Sequence, residues 1–142
     1  MRGVMAGGTR LYLAVAAGGA LGSVVRYLCS LGVLALLGPA FPWGTLVVNT
    51  AGSFLIGFYA TLTEPDGRLF ASPATRQFVM AGFCGGFTTF SVFSLETIRL
   101  AEAGALGLAG ANLLGSVALW LAAVWAGHRL ARRINRLRGR QT

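Results

Sequence analysis

The sequence predicts an all-α membrane protein with four transmembrane helices in a single domain, and three observations carry that fold class. Of the 142 residues, 55% are hydrophobic and only 11% charged, and the mean hydropathy is +0.68. So few charges cannot cover the surface of a water-soluble domain. The apolar residues fall into runs of the length, about 20 residues, that a bilayer core requires. The charges flank those runs: all 12 basic residues are arginines, and six lie between Arg129 and Arg140.

The first span is expected at about 11–37, interrupted by Arg26. Its small-residue stretch "AVAAGGALG" could host signal cleavage, but the run continues well past it, so a retained span is expected. After the turn "GPAFPW" the second span covers 44–62. The polar, proline-containing segment "TEPDGRLFASPAT" reads as a loop. The third span covers 76–99, the fourth 105–127, and a basic tail, 128–142, follows. Small residues recur four apart at Gly18 and Gly22, Ser53 and Gly57, Gly82 and Gly86, and Ala111 and Gly115, which lets helix backbones approach closely in lipid.

A net charge of +8 raises the question of nucleic acid. Most of it sits in the tail "HRLARRINRLRGR", directly after an apolar run. Such a cluster is a topology signal and a contact for anionic lipid, so no nucleic-acid partner is expected. Cys29 and Cys84 both fall in apolar segments and are expected to be buried free thiols.

Within lipid every polar group must find a partner. Thr45, Asn49 and Ser53 recur at intervals of four, on one side of the second helix, and Asn112 and Ser116 do the same on the fourth. A lone hydroxyl can bond its own helix. The Asn49 amide carries two donors that its own helix cannot satisfy. The third span holds the densest anomaly, "GFCGGFTTFSVFS", with three glycines, four hydroxyls and four phenylalanines in 13 positions. Each glycine weakens a helix by about 1 kcal/mol relative to alanine. The glycines are therefore expected to permit a break at Gly82, Gly85 and Gly86, with Thr88 and Thr89 following at once. Freed carbonyls suit a cation, whereas hydroxyl and amide donors suit an anion. Phe83, Phe87, Phe90 and Phe93 would form one stripe on an unbroken helix, usually for packing, although ring edges can also face an anion.

No Asp, Glu or Lys lies at mid-membrane, which disfavours a small proton-coupled exporter. No nucleophile pairs with a base, and the single histidine, His128, sits at a span end, so no enzyme is expected.

Three stretches together resemble the CrcB/Fluc family of fluoride channels: "GGALGSVVRY" at 18–27, "WGTLVVNTAGSFLIG" at 43–57 and "GFCGGFTTFSVFSLET" at 82–97. The resemblance implies four membrane helices per subunit, the third broken at its centre, in an antiparallel dimer with two pores. It implies that Asn49 donates to fluoride and that the edges of Phe90 and Phe93 line the pore. Thr45 and Ser116 match a hydroxyl track, Ser91 joins the pore-lining set, and Glu96 matches an acidic pore-line residue. Gly85 and Thr88 fall where backbone carbonyls hold a central structural sodium ion, and Arg26 matches a structural first-helix arginine. The implied activity is passive fluoride efflux across the cell membrane, lowering cytoplasmic toxicity. The alternative is a non-conducting subunit that completes a heterodimeric channel.

Two positions depart from the family pattern. Val92 stands where a second threonine is usual in "TTFSTF", and Leu108 lies near a position where tyrosine is common. The arginines are also strongly biased. Four spans place both termini and the 62–76 loop on one side, with Arg2, Arg10, Arg68, Arg76 and six tail arginines, against Arg99 alone opposite. That bias predicts cytoplasmic termini. It also favours an oppositely oriented homologous subunit over a second copy of the chain as the antiparallel partner.

Overall fold

The computed structural model describes the backbone of residues 2–136 and the side chains of 8–136. The tail arginines Arg138 and Arg140 and the side chain of Arg2 lie outside the described residues. Helix α1 (Arg2–Leu37) and helix α2 (Trp43–Leu62) are each unbroken. The third span is composite. It begins as α3 (Pro73–Gln77), widens into a π-helical stretch (Phe78–Cys84), tightens into a short turn α4 (Gly85–Phe87), and resumes as α5 (Ser91–Glu102). The long α6 (Leu106–Arg136) closes the chain. Among the described residues, four helical stretches are long and apolar enough to cross a membrane, as the composition predicts.

Local chemistry sets the ends. Gly38 follows α1 with φ +73° and Gly104 follows α5 with φ +76°, the left-handed conformation that ends helices and favours glycine. The Gly38 N–H donates to the Leu34 carbonyl at 2.9 Å and that of Ala105 to the Leu100 carbonyl at 2.9 Å, so each of these end carbonyls keeps a donor. The third span starts three residues before its expected boundary because Ser72 caps it. Its Oγ accepts from the Thr75 N–H at 3.1 Å, and Pro73 occupies the first turn, where a missing N–H costs nothing.

Two glycine crossings hold the bundle. The π-helical stretch packs on α1 and α2 packs along α6. A Cβ on Gly82 would stand 2.8 Å from the Val15 carbonyl oxygen and 2.9 Å from Gly18 Cα. A Cβ on Gly127 would stand 2.9 Å from the Phe58 nitrogen and nearer still to the Phe54 carbonyl. Backbone-to-backbone contact at these points is what small residues provide in lipid, where no hydrophobic effect drives helices together. α2 is the most enclosed helix, with 33% of its apolar window buried against 6% for α1, so polar residues on α2 face protein.

Several expectations need correction. The chain does not break at its glycines: Gly85 has helical φ −64° and ψ −38°, and the non-helical residues are Thr88 to Phe90. Gly82 and Gly86 serve the α1 crossing instead, Gly86 abutting the Gly19 backbone. The fourth helix does not end at 127 but runs to Arg136, because leucine, alanine and arginine are good helix formers and its last turns are docked. The Ala111–Gly115 pair is not a contact within the chain: a Cβ on Gly115 meets nothing within 4 Å. Cys84 is buried but Cys29 is exposed on the surface of the chain. The four phenylalanines form no single stripe, since the interruption turns Phe90 outward between two inward rings.

Candidate functional site

The site is built around the interruption of the third span. Phe87 ends α4, and Thr88 takes extended angles, φ −93° and ψ 162°. Both its N–H, at 3.0 Å, and its hydroxyl, at 2.9 Å, donate to the Cys84 carbonyl, which finishes the helix. The next peptide is gripped from α2. Asn49 Oδ1 accepts from the Thr89 N–H at 2.7 Å, and Asn49 Nδ2 donates to the Thr89 carbonyl at 2.8 Å. The amide orientation is fixed by its partners, because a backbone N–H can only donate and a carbonyl only accept. Asn49 thus replaces the helix that Thr89 has left. Its second N–H has no partner among the described residues, in a side chain only 4% exposed.

The same grip has a consequence one turn back. In a continuous helix the Thr89 N–H would donate to the Gly85 carbonyl. With that donor turned to Asn49, the Gly85 carbonyl lacks its helical partner. No atom from another part of the chain lies within 4 Å of where a Cβ on Gly85 would be.

The span restarts under side-chain control. Thr89 Oγ1 accepts from the Val92 N–H at 3.2 Å, capping α5, and lies 3.3 Å from Ser91 Oγ. One glycine-to-side-chain fit brings α2 this close. Gly52 abuts the Thr88 methyl group directly, and Asn49 lies one turn before it. Phe90 points out of the chain, 72% exposed, whereas Phe93 is 3% exposed and meets Trp120 edge to face with centroids 4.8 Å apart and planes at 71°. The two phenylalanine rings themselves are 5.7 Å apart and tilted by 50°.

Two open recesses flank this point. One, of about 280 Å3, is lined by Asn49, Ser53, Gly85, Thr88, Phe90 and Trp120 among others. The second, of about 410 Å3, is lined by Trp43, Thr45, Val92, Glu96 and Arg99 among others. Thr45 and Glu96 share this recess with Arg99, whose charge faces the Glu96 carboxyl. Val92 therefore places an apolar side chain in the recess that holds Glu96. Glu96 Oε2 and Trp120 Nε1 are buried with no partner among the described residues.

The remaining expected residues are placed as follows. Ser116 is 1% exposed and donates to Asn112 Oδ1 at 3.3 Å. Asn112 Nδ2 donates to Thr97 Oγ1 at 2.8 Å, whose hydroxyl donates to the Phe93 carbonyl at 2.8 Å. Ser116 is therefore tied to α5 through a relay and also borders a third recess with Trp43 and Leu108. Arg26 is half-buried and has no hydrogen bond or ion pair among the described residues. Sequence reasoning missed Thr89 as the peptide gripped by Asn49, and missed Thr97 and Trp120. The spacing of Asn112 and Ser116 was the available signal for the relay, and nothing in the sequence singled out Trp120.

An interrupted span held by a side-chain amide, in a bundle whose helices are long and apolar enough to cross a membrane, defines a multi-pass membrane protein that holds polar groups inside its own packing. The chain belongs to the CrcB-like family: the family profile described as CrcB-like protein, Camphor Resistance (CrcB), matches residues 13–128. It is 57% identical over 129 residues to the fluoride-specific ion channel FluC 1 of Rhodopseudomonas palustris, covering 91% of this chain and 92% of that protein. It is 56% identical over 129 residues to the fluoride-specific ion channel FluC of Opitutus terrae, covering 91% and 98% respectively. A third relative, FluC 1 of Bradyrhizobium diazoefficiens, is 55% identical over 128 residues, covering 90% of this chain and 89% of its own.

Proposed function

We propose that this chain is a pore-forming subunit of a fluoride-selective channel that lets fluoride leave the cell passively. The observation that carries the reading is the uncommitted Asn49 N–H, held in place by two hydrogen bonds to Thr89 beside the exposed ring of Phe90. Fluoride is small and strongly hydrated, so a path must offer donors and positive ring edges to replace its water. Asn49, Ser91, Ser116 and Thr45 supply polar groups along the reading, Phe90 and Phe93 the ring edges, and Glu96 a charged or neutral acid at one end. The relatives' names, fluoride-specific ion channels, support the anion assigned. No chemistry on the ion is involved, so the protein acts as a conduit.

The exposed Phe90 ring and the open recess leave the path one-sided in a single chain, which supports a second subunit in antiparallel orientation and two pores. The Gly85 carbonyl, released from its helical donor, suits an oxygen-ligated cation. Together with Thr88 it would hold a structural sodium ion between subunits, where the ion would fix the two interrupted spans against each other. The arginine bias supports cytoplasmic termini, and it favours a second reading of the assembly in which the partner is a homologous chain inserted the other way. Expression in a fluoride-sensitive bacterial strain tests the function. Restored growth in fluoride, lost with Phe90→Ile although the variant still reaches the membrane, is the expected result. Growth that ignores Phe90→Ile overturns the pore assignment.

A further inference from the structure

The docked end of α6 presents a feature that ion passage does not use. Arg129, Arg132, Arg133 and Arg136 recur at helical spacing, are all exposed, and together line a recess of about 240 Å3. None has a carboxylate partner among the described residues. The opposite side of the same turns is pinned to the bundle: Ala131 is fully buried, His128 Nδ1 is 2.8 Å from Thr61 Oγ1, and Asn135 Nδ2 donates to the Thr61 carbonyl at 2.9 Å. Asn135 Oδ1 also accepts from the Arg68 N–H at 2.9 Å, tying the 63–72 loop to the same helix. The arginine face is therefore held outward in a fixed rotation, and is not a swinging tail.

Its depth is marked from within. Trp125, one turn earlier and 60% exposed, carries the Arg129 guanidinium over its ring at 4.7 Å from the centroid. An amphipathic indole at the end of an apolar run belongs at the headgroup level of a bilayer, and the cation over its ring keeps one guanidinium there. The next turn adds its arginines at about 5 Å further along the axis. Forked guanidinium donors match phosphate oxygens in pairs.

We propose that these four arginines form a binding site for the phosphodiester headgroup of an anionic phospholipid, seated against Trp125 at the end of α6. The ligand chemistry is a phosphate oxyanion, and the position beside an interfacial tryptophan assigns it to lipid and not to a soluble anion. The site would tie the end of α6, through Asn135 and Thr61, to one leaflet.

The test uses the full chain purified in neutral detergent, with lipid retention measured by native mass spectrometry during titration with phosphatidylglycerol or phosphatidylcholine. Phosphatidylglycerol adducts should be retained and phosphatidylcholine adducts lost. Arg132→Gln with Arg133→Gln should weaken retention by about 30-fold, each arginine near the surface contributing about 5-fold. Arg132→Lys with Arg133→Lys preserves the charge but not the fork, and should also weaken it measurably. Millimolar inorganic phosphate should leave the lipid in place. Equal retention of both lipids, or glutamine variants that retain phosphatidylglycerol as the parent does, would overturn the site. Lysine variants equal to the parent would reduce it to diffuse charge, and displacement of lipid by inorganic phosphate would overturn the lipid assignment.

Discussion

Replacing Asn49 with alanine removes both hydrogen bonds to the Thr89 peptide, at 2.7 and 2.8 Å, without touching Thr89 itself. The Thr89 N–H and carbonyl have no helix to return to, because Thr88 is extended and the α4 turn has ended. A buried backbone group without a partner costs about 1–3 kcal/mol. Two such groups give an upper range of about 2–6 kcal/mol. Interhelical hydrogen bonds in membranes average only about 0.6 kcal/mol, since partners are found in the unfolded state. The open recess beside Asn49 also admits partial solvation, which moves the expected loss to about 2–3 kcal/mol. Reversible unfolding in mixed detergent micelles, followed by circular dichroism, measures it. Thr89→Val is the control: it keeps the peptide held by Asn49 and removes the α5 cap on Val92 and the exposed contact with Ser91 Oγ, so it should cost about 1 kcal/mol. An Asn49→Ala variant within about 0.5 kcal/mol of the parent would refute the reasoning that Asn49 sustains the interruption.

Other outcomes follow from the same packing. Phe93→Ala should destabilise by about 3–5 kcal/mol in the same unfolding assay, since it empties a buried ring site against Trp120. Phe90→Ala should change stability little, because that ring is 72% exposed. Gly127→Ala should separate α2 from α6 and lower the unfolding midpoint, as its Cβ would stand 2.9 Å from the Phe58 nitrogen, whereas Gly32→Ala, with nothing within 4 Å, should be neutral or slightly stabilising. Thr61→Val removes the hydroxyl partner of His128, and trypsin should then cut at Arg129 to Arg136 measurably faster than in the parent. Unchanged cleavage would show that the docking of α6 does not depend on that contact.

Hydropathy and charge placement made the four spans legible, because both are one-dimensional properties of the chain. The polar stripe on α2 was legible too, since Thr45, Asn49 and Ser53 share a helix face by period alone. The location of the interruption was not. Glycines lower helix stability locally, yet Gly82 and Gly86 are held helical by contact with α1, and the break falls where Asn49, 40 residues earlier in sequence, supplies a competing partner for Thr89. The separate fates of Phe90 and Phe93 depend on that break, so a periodic reading of the rings could not anticipate them. Likewise the basic tail reads as an appendage until His128 and Asn135 meet Thr61, a contact between α2 and α6 with no local signature.

Fluoride efflux from liposomes, read with a fluoride electrode and with chloride loss as the parallel reading, is the most direct test of a fluoride-selective pore. The purified chain is reconstituted alone and, separately, with an oppositely inserting homologue. Rapid fluoride loss with chloride retained, in at least one of the two preparations and abolished by Phe90→Ile in this chain, is the predicted result. Silence in both, or chloride leaving alongside fluoride, would contradict it.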